Sequence, residues 1–89
     1  MELLKVIAIA GCDDVLLTLS ENEELNFGAI AKLMRHRPTA TRALKELTKA
    51  GLLEREVMED RSVRYRLTEN GKAVSRIVKE LRETEAAFE

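Results

Sequence analysis

Aromatic residues are scarce in this chain, which has two Phe, one Tyr and no Trp, so its core must be aliphatic and modest. Cysteine occurs once, which excludes an intramolecular disulfide framework and fits a reducing compartment. One cysteine and one histidine cannot build a Cys/His zinc site, and no H-E-x-x-H helix is present. There is no glycine-rich phosphate loop, and no motif places a histidine to activate Ser20, Ser62 or Ser75. These absences argue against an enzyme, a metal site and a cofactor. No run approaches the ~18 apolar residues of a membrane span. The opening run 3–10 is apolar, but Glu2 precedes it and Lys5 interrupts it, unlike a signal peptide. A cytoplasmic protein without membrane contact is expected.

Proline occurs once and glycine four times, at expected element boundaries, with no repeat, low-complexity tract or linker. Residues 1–89 therefore form one domain, near the lower size limit of unaided folding. A large net charge of either sign is also missing, since 15 Lys/Arg face 16 Asp/Glu for a formal charge of −1. The distribution is uneven, however. Between positions 32 and 49, six basic residues (Lys32, Arg35, Arg37, Arg42, Lys45, Lys49) meet one acid, Glu46. Asp13, Asp14, Glu21, Glu23 and Glu24 make the earlier segment acidic. Such asymmetry polarises one face of the molecule.

Hydrophobic period separates the elements. Residues 1–20 hold one helix broken at Gly11, or a short element followed by a helix from Asp13, with Asp13 or Asp14 as N-cap or first-turn anion. Asn22 to Asn26 is polar and turn-like. Phe27, Ile30, Ala31 and Met34 then follow the i, i+3, i+4, i+7 spacing of a short amphipathic helix. The next helix is predicted over 38–50, opened by Pro38 and stopped by a left-handed Gly51. Ala40, Leu44 and Leu47 line its buried side, leaving Thr39, Arg42, Glu46 and Lys49 opposite and Lys45 at the flank. Beyond Gly51 the period becomes two. Leu53, Val57, Val63, Tyr65 and Leu67 share one face of a hairpin, with Arg64 and Arg66 on the other. Thr68 caps a last helix whose stripe is Val74, Ile77, Val78, Leu81 and Phe88. Thr84 and Glu85 interrupt it, which predicts a frayed end. The fold class is mainly α with a small β-hairpin wing, a winged helix-turn-helix of order α-(β)-α-α-β-β-α.

Local sequences sharpen this reading. Residues 39–55, TATRALKELTKAGLLER, resemble the recognition helix and exit of MarR-type transcriptional regulators, which often read T-V-T-R-x-L-x-x-L-x-x-x-G-L-V-x-R. Residues 59–71, EDRSVRYRLTENG, are similar to that family's wing, D-x-R-x-x-x-x-x-L-T-x-x-G. The likeness covers roughly residues 25–72, and ArsR-, PadR- and HxlR-like regulators share much of it. Glu59 stands where the wing motif has Asp, which predicts a longer-armed buttress for Arg61. MarR-type proteins are typically longer, with additional terminal helices that form the dimer and a ligand cleft. The resemblance therefore gives no expectation of an effector for this chain.

The functional reading is a sequence-specific reader of double-stranded DNA, with helix 38–50 in the major groove and wing 53–67 at the minor groove or backbone. Arg42 and Thr39 are the candidates for base edges, by guanine pairing and by hydrogen bonding or thymine-methyl contact. The competing reading of Arg42 is an i,i+4 ion pair with Glu46. Lys32, Arg35, Arg37, Lys45 and Lys49 are candidate phosphate binders, and His36 lies in the turn between them. The resemblance places Arg61 at the wing tip for the minor groove, against an ion pair with Glu59 or Asp60. Arg64, with Arg66, is expected along the backbone, against the alternative that these strand positions face solvent. Cys12 reads as a small buried hydrophobe rather than a redox sensor, because Asp13 and Asp14 disfavour a thiolate. A homodimer is expected, with its interface on the terminal elements 1–20 and 69–89 through Leu3, Leu4, Ile7, Val74, Ile77, Val78, Leu81 and Phe88. The alternatives are a winged-helix protein–protein module and a sequence-neutral DNA binder.

Overall fold

The computed structural model describes residues 2–88. The chain runs α1 (Leu3–Ile7), α2 (Cys12–Glu21), β1 (Leu25–Asn26), α3 (Phe27–Met34), α4 (Arg37–Lys49), β2 (Leu53–Val57), β3 (Val63–Leu67) and α5 (Glu69–Ala87). This is a mainly helical winged fold with a three-stranded antiparallel sheet of order β1-β3-β2. Strand β1 fills the bracketed place in the expected order. It has two residues, Leu25 opposite Tyr65 and Asn26 opposite Arg64, inside a segment whose composition reads as a turn.

Each boundary has a local cause. Gly11 takes φ 87° and lets α1 turn into α2, while Asp13 and Asp14 occupy the first turn of α2 rather than its cap. Asn26 caps α3, its Oδ1 accepting from Ala29 N–H at 2.8 Å. Helix α4 starts one residue before Pro38, because the His36 side chain caps it by accepting from Thr39 N–H. Pro38 is then the second helical residue, where its missing N–H is still one of the unpaired donors. Gly51 follows the C-cap at φ 78° and turns the chain into β2.

The core is aliphatic. Leu16, Leu44, Leu47, Leu52, Ile30 and Val15 are the large, fully buried side chains, and they join α2, α3, α4 and the hairpin. Truncating such a side chain costs about 2–5 kcal/mol, a large share of a small domain's stability. Tyr65 and Leu67 are buried as the alternation predicts, but Val57, next to the hairpin tip, is exposed.

Three expectations for the termini change. Val74 and Val78 are buried in the chain's own core against α2 and so are not free for a partner. Ile7 is half-buried against the same core, since α1 folds back on α2. Helix α5 does not fray at Thr84 and Glu85 but continues to Ala87. Leu3, Leu4, Ile77, Leu81 and Phe88 remain exposed.

Candidate nucleic-acid interface

The buried stripe of α4 is Ala40, Ala43, Leu44 and Leu47, a full i, i+3, i+4, i+7 set. Ala43 is the member that reading only the leucines omits. Including it rotates the inward direction, so the exposed face becomes Pro38, Thr41, Arg42, Lys45 and Lys49. Thr39 and Glu46 move to the flank and are half-buried. The Thr39 methyl faces Gly11, and its hydroxyl is hydrogen-bonded to His36 Nδ1. Thr39 is thus engaged in capping, and Thr41 is the threonine on the outer face. The Thr41 hydroxyl donates to the Arg37 carbonyl at 2.9 Å, leaving its methyl and an oxygen lone pair available.

Ion pairing sorts the basic residues. Among the described residues, Arg42, Lys45, Lys49, Lys32, Arg35, Arg37 and Arg61 form no salt bridge, whereas Arg64, Arg66 and Arg82 do. The alternative pairing of Arg42 with Glu46 is not made. Glu46 instead lies close enough to Cys12 to help raise its thiol pKa. Arg64 Nη1 is 2.6 Å from Glu24 Oε1, an exposed ion pair that engages its guanidinium. Arg66 binds Glu54 through two nitrogens, and that carboxylate raises its pKa. These two arginines brace the outer face of the sheet.

The flanking turns present further cations. Arg37 lies 5.2 Å over the Phe27 ring, a cation–π contact that fixes the start of α4 against α3. Arg35 ends α3 in the left-handed region at φ 61°, and Arg61 takes φ 70° at the hairpin tip. A non-glycine residue in this region costs roughly 1–2 kcal/mol, so both turns hold an arginine where glycine would fit more easily. At the tip, Asp60 Oδ1 accepts from Ser62 N–H at 3.0 Å and from the Ser62 hydroxyl at 2.6 Å. The Ser62 hydroxyl, then its amide, hold Asp60 below the usual carboxylate range. The turn is closed by Met58 N–H to Ser62 O at 2.8 Å and Arg61 N–H to Met58 O at 2.9 Å. Asp60, not Glu59, is therefore the wing's acidic brace, and Arg61 pairs with neither.

Cys12 is fully buried beneath this face, its Sγ 3.9 Å from the Ala43 carbonyl oxygen. Burial, then Asp13 and Glu46, push its thiol up to about 11, partly offset by Arg42. No group of three or more potential metal ligands occurs among the described residues. No helix in that range is long and apolar enough to cross a membrane.

Solved structures share the architecture. The transcriptional regulator SlyA matches with TM-score 0.82 and 27% identity, over 96% of this chain and 63% of its own. A MarR transcriptional regulator from Methanosarcina mazei Go1 matches with TM-score 0.77 and 26% identity, over 90% of this chain and 63% of its own. Streptococcus pneumoniae FabT, solved in complex with DNA, has TM-score 0.73 and 20% identity, over 88% of this chain and 57% of its own, a likeness of fold. This chain thus spans less than two thirds of each of those proteins. No curated protein sequence matches it significantly. The MarR family model matches residues 14–61, more than half of the chain and the whole helix-turn-helix with the wing's first strand, and the chain belongs to the MarR family.

Proposed function

We propose that the protein is a homodimeric, sequence-specific reader of double-stranded DNA that regulates transcription, with α4 in the major groove and the β2–β3 wing at the minor groove. The observation that carries this reading is the outer face of α4, where Thr41, Arg42, Lys45 and Lys49 are exposed and the three cations form no salt bridge among the described residues. Unpaired cations at helical spacing match the phosphate and base-edge contacts of a major-groove helix. Such an outward basic face favours a polyanion over a protein-docking role for α4. FabT, of the same fold, was solved with DNA bound, which supports the reading. Exposed Leu3, Leu4, Ile77, Leu81 and Phe88 supply the apolar surface for a twofold partner. Such a dimer presents two recognition helices about 34 Å apart, for a pseudo-palindrome.

Selection of bound duplexes from a random pool, followed by a salt series on selected and random duplex, tests the reading. Preferred binding to the selected duplex, weakening steeply with salt, is expected. No binding at low salt overturns it in favour of a protein partner, and equal affinity for both duplexes reduces it to a sequence-neutral binder. Arg42→Ala should relax sequence preference, whereas Lys49→Ala should weaken all duplexes alike and lower the salt slope by about one.

A further inference from the structure

The acidic first turn of α2 and the long helix α5 are joined by one side chain. Arg82 places Nη2 2.6 Å from Asp13 Oδ2 and 2.7 Å from Asp14 Oδ1. Val78 is the last buried residue of α5, so Arg82 stands one turn beyond the packed part of the helix. Among the described residues it makes the only ion pairs of the second half of α5. Both contacts are made by the one nitrogen, so a single terminal amino group of the guanidinium bridges the two carboxylates and ties α5 to the start of α2.

The same turn of α2 packs against α3 and α4 on its other side, where Gly11 lies against the end of the Met34 side chain and a Cβ on it would stand 3.0 Å from Thr39 Cγ2. The next residue, Cys12, is fully buried against the Ala43 carbonyl. The start of α2 is therefore wedged between the recognition helix and the point where Arg82 fastens α5. We propose that Arg82 is a positioning residue that sets the angle between the partner-binding half of α5 and α4, and thereby the half-site separation the dimer accepts. This rests on the dimeric DNA-binding reading above. A displacement of α5 about its last buried turn would otherwise swing the two recognition helices relative to each other.

The experiment uses duplexes with two selected half-sites at centre separations stepped by one base pair, and a duplex with a single half-site. Wild-type affinity is expected to peak at one separation. Arg82→Ala and the double variant Asp13→Asn/Asp14→Asn should each flatten that peak by roughly fivefold, the scale of two exposed ion pairs. Single-half-site affinity, dimer sedimentation and thermal unfolding should stay close to wild type, and Arg82→Lys should recover part of the peak. An unchanged peak in either variant overturns the assignment, as does an equal fall in single-half-site affinity. A variant that sediments as a monomer overturns it too, because Arg82 would then hold the dimer rather than its angle. If wild type binds one half-site but shows no preferred separation, the dimeric reading fails and the role of Arg82 with it. If wild type shows a preferred separation and the variants keep it, the role of Arg82 alone fails.

Discussion

Arg61 holds φ 70° at the tip of the wing, in a turn that Asp60 and Ser62 brace independently of its side chain. The tip would fold with glycine there, which removes the left-handed strain but loosens the unfolded chain. Arg61→Gly is accordingly expected to leave stability within about 1 kcal/mol of wild type while weakening duplex binding and its salt slope. Urea denaturation and fluorescence anisotropy separate the two effects, and a variant that binds as well as wild type would show the wing charge to be idle. Cys12 carries a different prediction. Its thiol is raised from 9.0 to about 11, so both folded and unfolded thiols are protonated at low pH and the stability linked to it is complete there. As pH rises through that window the unfolded thiol ionises first, and the contribution is lost. The Tm advantage of wild type over Cys12→Ala should therefore shrink between about pH 9 and pH 11. Thiol reagents should label the native protein only slowly at pH 8.

Helix α5 begins against the backbone of β2's approach. Thr68 Oγ1 donates to the Gly51 carbonyl at 2.7 Å and accepts from Gly71 N–H at 3.0 Å, while Thr68 N–H reaches the Leu52 carbonyl at 3.1 Å. A Cβ on Gly71 would overlap that Leu52 carbonyl oxygen. Gly71→Ala should thus push α5 off the hairpin and cost about 1–3 kcal/mol, read from the urea midpoint. Gly28→Ala is the control, because its Cβ would meet only Asn26 Oδ1 at 3.5 Å, an ordinary contact. The L-T-x-x-G pattern of residues 67–71 was visible as a string, but its reason is this approach between segments remote in sequence. Periodicity located α3, α4, the hairpin and α5, because each has a buried stripe strong enough to show. It gave no sign of β1, which only the expected order of elements carried, because two residues are too few to alternate and their pairing is supplied by β3. It also aimed α4 too far toward Thr39. A small buried residue such as Ala43 counts for little in a hydrophobic pattern yet fixes a helix face as firmly as a leucine. The His36 cap was hidden for another reason, since histidine is not among the usual N-cap residues.

At the scale of the molecule, the principal extents are 46 × 26 × 21 Å, and α5 supplies much of the length, at about 28 Å for its 19 residues. Its buried residues end at Val78, and every later described residue is exposed, including Leu81 at 62% and Phe88 at 85%. Ile77 is equally open at 62%, one residue from a valine that is 4% exposed. The helix therefore has two apolar faces, one closed against α2 and one facing outward. A second copy of the chain, with the same outward face, can cover this surface by twofold symmetry. The two faces make opposite predictions. Ile77→Asp/Leu81→Asp should leave the fold and its thermal transition intact, yet convert a sedimenting dimer to monomer. With avidity lost, its affinity for a two-half-site duplex should fall by a factor on the order of 10². Val78→Asp should instead unfold the domain, because it places an unpaired charge in the core. A Val78→Asp protein that stays folded and loses only its partner would invert the assignment of the two faces.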